Sequence, residues 1–199
     1  VLILGSGGRE HAISWKICKS NFLNNLFIAP GNSGTELIGN NLNVDVENYA
    51  DIKQNIIANN IDLLIIGPED PLVAGLHDKL SQDKEIHNLT IIGPQKEAAK
   101  LEGSKLFAKK FMKKYNIPTA DFKSFDAKNF LEAINYLKRS NPPFVIKADG
   151  LAAGKGVFIC DTLEEGKRAI DDIIIKSKFG EAGKKIVIES FLKGIELSV

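Results

Sequence analysis

The residues best suited to chemistry in this chain form a glycine-rich segment between two apolar runs. Lys147 ends the first run, Phe144–Lys147, and a glycine-rich stretch carries Lys155 towards the second, Val157–Cys160. Runs of this composition are typical of strands, so the segment is predicted to be a hairpin with one lysine at its base and one near its tip. Backbone N–H groups and ammonium groups bind phosphate. The hairpin is therefore a candidate anion site, although an ordinary mobile hairpin with solvated lysines remains open.

The glycine spacing of this hairpin differs from that of the common phosphate loop. A Walker loop places four residues between its first glycine and the Gly-Lys pair, followed by Ser or Thr and a helix. In this chain three residues separate Gly150 from Gly154, and Gly156 follows Lys155. Because small residues leave the turn flexible and nothing in the sequence anchors it, we expect Asp149–Gly156 to fold over an anionic ligand as a mobile lid.

A second glycine-rich turn lies between the first predicted strand, Val1–Leu4, and a helix predicted over Glu10–Lys19. Gly7 and Gly8 of this turn would expose N–H groups at the positive end of the helix, which suits phosphate, and Arg9 would add a cation. A turn that only packs the helix on the strand remains the alternative.

A dinucleotide site is not favoured at this turn. Glu10 stands where the third glycine of the fingerprint belongs, and the second strand ends in Ala29–Asn32 rather than in an acid. His11 is assigned no role. Glu69 and Asp70 precede Pro71 at a helix start, where capping is the favoured interpretation and a carboxylate that holds a ligand amine or hydroxyl is the alternative.

The elements that position these residues follow two patterns. Up to Gly93, apolar strands alternate with helices, which predicts a parallel sheet covered on both faces, with ligands at the carboxyl ends of its strands. The predicted strands are Val1–Leu4, Leu26–Ala29, Leu63–Ile66 and Thr90–Ile92, and the helices are Glu10–Lys19, Ala50–Ala58 and Pro71–Leu80. After Gly93 the order is that of an α+β domain. Its predicted helices are Lys96–Leu101, Ser104–Tyr115, Lys128–Arg139 and Leu163–Ile175, and its strands are Phe122–Phe125, the hairpin and Lys185–Ile188.

The composition excludes several classes of protein. The chain has 199 residues, of which 44% are hydrophobic and 26% charged, and its net charge of +1 gives no bulk attraction to nucleic acid or a membrane. No apolar run approaches the ~20 residues of a membrane span. Cys18 and Cys160 are interpreted as free thiols in a reducing cytoplasm, and no transition-metal motif is present. The chain lacks a starting Met and ends in a strand-like segment, so we expect it to be part of a longer protein.

Six segments of the chain resemble the glycinamide ribonucleotide synthetase (phosphoribosylamine–glycine ligase) family of the ATP-grasp superfamily. They are GSGGREHAISWK from Gly5, APGNSGT from Ala29, GPEDPLV from Gly67, IGPQKEAAKLEGSK from Ile92, IKADGLAAGKGV from Ile146 and VIESFLKGIELSV from Val187. The resemblance implies an α/β chain with an amino-terminal parallel-sheet domain, pre-ATP-grasp and Rossmann-like. A small α+β ATP-grasp lid domain would follow, and the carboxy-terminal half of the family protein would be absent. The implied bounds are 1–119 for the first domain with its connecting helices, 120–188 for the lid and 189–199 for a hinge and the start of the main ATP-grasp domain.

The resemblance also implies a reaction. ATP would phosphorylate glycine, and 5-phosphoribosylamine would attack the glycyl phosphate to give glycinamide ribonucleotide, ADP and phosphate in de novo purine synthesis. The partners are thus small molecules, and the oligomeric state is left open. Mg²⁺ or Mn²⁺ would assist, with its ligands and the glycine site expected beyond residue 199, so no metal ligand is assigned in this stretch.

The resemblance assigns roles to individual residues. Lys105 and Lys147 would be the catalytic cations around the transferring phosphoryl group. The ATP-binding set adds Gly150, Ala153, Gly154, Lys155, Gly156, Glu189, Phe191, Leu192 and Glu196. The phosphate and sugar of phosphoribosylamine would meet Gly7, Gly8, Arg9, Asn32 and Glu69. From the residues alone, Glu189 and Glu196 are predicted to be surface acids. Another ATP-grasp ligase, such as a carboxylase or formyl-transferring relative, and a nucleotide sensor without turnover remain the alternatives.

Overall fold

The computed structural model describes residues 1–152 and 154–197. The chain divides into two compact units, Val1–Ala99 and Lys100–Val199. The finer division into a lid at 120–188 and a hinge at 189–199 stays a prediction.

The first unit is built on a parallel five-stranded sheet, as the alternation of strands and helices predicts. Its order is β3-β2-β1-β4-β5, and every neighbouring pair is parallel. The strands are β1 Leu2–Gly5, β2 Phe27–Pro30, β3 Asn40–Asn41, β4 Leu63–Ile66 and β5 Thr90–Ile92. The helices are α1 Gly8–Ile17, α2 Tyr49–Ala58, α3 Glu69–Ala74 and α4 Leu76–Ser81, with 3₁₀ turns at Thr35–Leu37 and Lys84–Ile86. Helix α5, Lys96–Gly103, begins in this unit and ends in the second.

Both faces of this sheet are covered by apolar side chains. Leu2 and Leu4 of β1 belong to a cluster that includes Ile52 of α2. Ile3 points to the other face, where Ile13 of α1 packs. This alternation along one strand explains why the strand sequences are continuously apolar.

The strand order reverses between β1 and β4, because β2 and β3 lie on one side of β1 while β4 and β5 lie on the other. In open parallel sheets the carboxyl ends at such a point form a crevice. Gly5 ends β1 and Gly67 follows β4, so the turns after these strands border this crevice, together with the helix starts that carry Arg9 and Glu69.

Two elements of the first unit differ from the sequence prediction. The predicted helix Pro71–Leu80 is two helices, because Gly75 has φ +89° and ends α3. This conformation costs glycine little and interrupts the helical hydrogen bonds. The two-residue strand Asn40–Asn41 pairs with β2 through its backbone and was not predicted.

The second unit is built on an antiparallel four-stranded sheet of order β6-β9-β7-β8. The strands are β6 Phe122–Asp126, β7 Phe144–Ala148, β8 Val157–Cys160 and β9 Lys185–Ser190. The helices are α6 Lys105–Lys114, α7 Phe130–Arg139 and α8 Leu163–Ile170. A π-helical segment, Asp171–Ile175, continues α8, and 3₁₀ turns lie at Ala127–Asn129 and Gly180–Gly183.

The two faces of the central strand β9 have different partners. Ile186 and Ile188 join the apolar core that includes Ile170 of α8. Val187 and Glu189 alternate with them and point to the opposite face, and α6 contacts β9. Glu189 is therefore buried although it is charged. This corrects the prediction from the residues alone that it is a surface acid.

No helix in the described parts of the chain is long and apolar enough to cross a membrane.

Candidate functional site

The first candidate site lies at the carboxyl edge of the parallel sheet and joins three strand-end turns. The guanidinium Nη2 of Arg9 lies 3.2 Å from Oε2 of Glu69. Asn32 donates from Nδ2 to the carbonyl of Ser6 at 2.9 Å, and its Oδ1 accepts from the backbone of Gly34 and Thr35. The structure thus brings together the turns that the sequence singled out.

A buried carboxylate beneath the first turn was not foreseen. Glu10 is 4% exposed, and its Oε2 accepts the Gly7 N–H at 2.7 Å. Its Oε1 has no hydrogen-bond partner among the described residues. A Cβ built on Gly5 would lie 2.7 Å from the Glu10 side chain, and one built on Gly67 would also overlap it. Both glycines therefore make room for Glu10, and the Gly7 N–H is already occupied.

The other groups of this turn are open to solvent. Gly8 is exposed, and a Cβ on it would meet nothing within 4 Å. The pKa of Glu69 is lowered, first by the polar backbone N–H of its own residue at the start of α3 and then by the Arg9 guanidinium, while partial burial opposes this. Glu69 thus lies in the first turn of α3, whose N-cap is Pro68 and has no side-chain cap, and pairs with a cation. A phosphate at this turn would compete with Glu69 for Arg9.

The second candidate site is centred on Glu189 of β9. Its Oε2 lies 3.1 Å from Nζ of Lys147 on the neighbouring strand β7 and 2.9 Å from Nζ of Lys109 on α6. Its Oε1 is buried without a hydrogen-bond partner among the described residues. Two ammonium groups therefore share one carboxylate oxygen, and the cluster of Glu189, Lys109 and Lys147 has a net positive charge.

Helix α6 supplies a further lysine from the same face. Lys105 lies four residues before Lys109, a spacing that places both on one side of the helix. Its Nζ donates to the carbonyl of Gly150 at 3.0 Å. Burial lowers the pKa of Lys105, and nearby Lys147 lowers it further while Asp149 opposes both.

Asp149 fixes the start of the glycine loop. Its Oδ1 accepts from the backbone N–H of Leu106 at 2.7 Å and from the Ser104 hydroxyl at 3.0 Å, so it caps α6 together with Ser104. The Gly150 N–H donates to the carbonyl of Ala182. The expectation that nothing anchors this loop is therefore wrong for its first two residues.

The remaining residues of the predicted ATP-binding set lie in the loop and after β9. Gly154 has φ +75° and open space around it, Lys155 is exposed, and Gly156 is buried with its carbonyl accepting from Ala148. After β9, the chain is exposed and lacks regular structure at Phe191, Leu192 and Glu196. Ala153 lies outside the described residues.

Sequence reasoning missed Lys109, Asp149 and Glu10. The one signal for Lys109 is its four-residue spacing from Lys105 within a lysine-rich helix. No group of three or more metal-ligating side chains that could hold an ion occurs among the described residues.

The lysines beside a glycine hairpin on an antiparallel sheet, in a unit that follows a parallel α/β unit, define an ATP-grasp protein. Residues 103–199 match the family model described as "Phosphoribosylglycinamide synthetase, ATP-grasp (A) domain". A biotin carboxylase domain of Hydrogenobacter thermophilus 2-oxoglutarate carboxylase shares this fold at 18% identity, with a TM-score of 0.72 over 96% of this chain and 44% of that one.

The particular family follows from the first unit and from the relatives. The model for "Phosphoribosylglycinamide synthetase, N domain" matches residues 1–102, and the chain belongs to this family. A phosphoribosylamine–glycine ligase of Rhodopirellula baltica is 46% identical over all of this chain and 46% of its own length. The crystal structure of the Thermotoga maritima phosphoribosylamine–glycine ligase is 36% identical, with a TM-score of 0.75 over 98% of this chain and 44% of that one. The chain thus spans about half the length of the curated relatives it matches.

Proposed function

We propose that the complete protein carrying this chain ligates glycine to 5-phosphoribosylamine at the expense of ATP, through glycyl phosphate, in purine biosynthesis. The observation that carries the proposal is the cluster in which Lys109 and Lys147 pair with the single carboxylate of Glu189 and Lys105 lies nearby, in a unit of this family. Phosphoryl transfer depends mainly on positioned positive charge, and this cluster supplies it.

The residues of the second unit fit a nucleoside triphosphate with its metal ion. Lys147 has a side chain that is 26% exposed, so its ammonium can reach a ligand, and Lys105 lies at the first turn of α6 beside the loop. Mg²⁺ or Mn²⁺ bound to the phosphates would neutralise charge on the transferring group. We assign no metal ligand in this stretch and expect those ligands in the remainder of the protein.

The proposal gives individual residues the following roles. Lys147 and Lys105 bind and orient phosphate oxygens, and the loop from Gly150 to Gly156 excludes water from a reactive acyl phosphate. The segment after β9 would supply backbone groups for the adenine, and Glu196 would hold the ribose.

We also propose a cytoplasmic location.

The first unit would bind phosphoribosylamine at the crevice between β1 and β4. Exposed Gly8 and Arg9 would meet its phosphate, while Glu69 and Asn32 would face its sugar. Because the Gly7 N–H already donates to Glu10, we propose that Gly7 shapes this turn and that Gly8 and Arg9 contact the phosphate.

The proposal is tested with Lys147→Ala in the complete protein. Removing a charge aimed at a transferring phosphoryl group costs ~3 kcal/mol, so turnover should fall about a hundredfold. The measurement is ADP formation that depends on both glycine and phosphoribosylamine. Lys123→Ala, which removes an exposed lysine from β6 of the same sheet, is the matched control and should keep wild-type turnover.

Two outcomes would contradict the proposal. Wild-type turnover by Lys147→Ala would remove the lysine from the mechanism. A wild-type protein that binds ATP but forms no glycine-dependent ADP would instead be a nucleotide-binding module.

A further inference from the structure

Lys109 is buried but has a complete set of acceptors. Its side chain is 8% exposed, and its Nζ lies 2.9 Å from Oε2 of Glu189, 2.7 Å from Oγ1 of Thr119 and 3.4 Å from the carbonyl of Ala120. An ammonium group has three donors, and these three acceptors occupy them. Lys109 therefore has no donor left for a ligand and is held in one place.

Lys147 is held much more loosely by the same carboxylate. Among the described residues its Nζ has one partner, Oε2 of Glu189 at 3.1 Å, and its side chain is 26% exposed. Two of its donors remain for another anion. A ligand phosphate could therefore draw Lys147 away from Glu189 by rotation of its side chain.

The charges on the two lysines determine whether this rotation is favourable. If Lys147 leaves, Glu189 is still neutralised by Lys109 at 2.9 Å. Without Lys109, Lys147 would be the one cation bound to a buried carboxylate, and its departure would leave that carboxylate unpaired, which is costly.

We propose that Lys109 is a positioning residue of the nucleotide site: it keeps Glu189 neutralised, so that Lys147 can leave that carboxylate and bind the phosphates of the nucleotide. This inference rests on the proposed function in naming the nucleotide as the anion. Lys109 acts through Glu189 and does not touch the ligand.

The test compares Lys109→Met with Lys110→Met in the complete protein. Lys110 is the next residue on α6 and is exposed, so it is the matched control. Calorimetry measures the affinity for a non-hydrolysable ATP analogue and for adenosine, which carries no phosphate. In Lys109→Met the analogue should bind about tenfold more weakly while adenosine binds as in the wild type. Lys110→Met should change neither affinity.

A double variant separates positioning from folding. In a Glu189→Gln background no carboxylate holds Lys147, so adding Lys109→Met should change the affinity for the analogue by less than about threefold. A parallel loss of adenosine and analogue affinity in the single variant would overturn the proposal, as would unchanged analogue affinity. If the single variant does not fold, the comparison of the double variant with Glu189→Gln alone decides, and a further loss of about threefold or more overturns the proposal.

These outcomes differ from those of the proposed function. Absence of glycine-dependent ADP formation by the wild type overturns the ligase assignment, whereas the role of Lys109 is decided by binding of the analogue alone.

Discussion

The two candidate sites hold their charged groups in opposite ways. The Arg9–Glu69 pair has side chains that are 72% and 36% exposed, whereas those of Lys109 and Glu189 are 8% and 6% exposed. An exposed pair typically contributes ~0–1 kcal/mol, but removing one member of a buried pair costs ~3–5 kcal/mol. Charge at the first site can therefore change with little effect on folding, while at the second site binding and stability depend on the same contacts.

The largest expected effect is that of Glu189→Leu. It leaves Lys109 buried without its counter-charge, so the free energy of unfolding should fall by ~3–5 kcal/mol. Urea denaturation followed by a probe in the second unit measures this. Glu181→Leu, which removes an exposed acid paired with Lys184, is the control and should cost less than ~1 kcal/mol. Equal losses in the two variants would remove the contrast between buried and exposed charge.

An intermediate effect is expected for Gly67→Ala in the first unit. The added Cβ would overlap the buried Glu10 side chain, and such overpacking typically costs ~1–3 kcal/mol. Gly8→Ala is the matched control, because a Cβ there meets nothing within 4 Å and alanine favours the helix. Thermal unfolding of the two variants measures the difference. If Gly67→Ala were as stable as Gly8→Ala, Glu10 would have room to move, and its burial would not constrain the turn.

The smallest effect on stability is expected for Arg9→Glu, which removes an exposed ion pair worth less than ~1 kcal/mol. Its effect on binding should be specific, because a carboxylate would replace attraction for an anionic substrate with repulsion. We expect the KM for phosphoribosylamine to rise about tenfold, which is ~1.4 kcal/mol, while the KM for ATP stays unchanged.

Lys16→Glu makes the same change of charge near the other end of α1 and serves as the control for Arg9→Glu. It should leave both KM values unchanged. A rise in the KM for ATP in Arg9→Glu would place the nucleotide at the first unit and revive the dinucleotide interpretation of that turn.

The fold could be predicted wherever local composition determines an element. The strands Leu63–Ile66, Thr90–Ile92 and Val157–Cys160 have the predicted bounds, because residues of these apolar, mostly β-branched or aromatic types favour strands even where the side chains are exposed. The break at Gly75 could not be predicted, because a glycine within a helical pattern does not reveal its φ angle. The strand Asn40–Asn41 depends on backbone pairing with β2, which its side chains do not indicate.

A sequence motif marks some residues of the candidate sites, whereas others are recognisable only from their tertiary packing. Lys147 stands out beside a glycine loop. Ser104–Lys114, however, contains five lysines, and the sequence does not distinguish the one that is buried against β9 from those in solvent. The burial of Glu189 is likewise a property of the sheet face covered by α6, not of its neighbours in sequence.

The cap that Asp149 places on α6 has a consequence for how the hairpin can move. The backbone N–H of Lys105 donates to the Asp149 carbonyl, and the Gly150 N–H is bound to Ala182, so the root of the hairpin and the first turn of α6 form one joint. A lid movement of the exposed residues Gly154 and Lys155, as we propose, would then pivot beyond this joint. The electric field produced by the lysines of α6 would stay nearly constant through such excursions, so a phosphate could be attracted before the tip has closed over it.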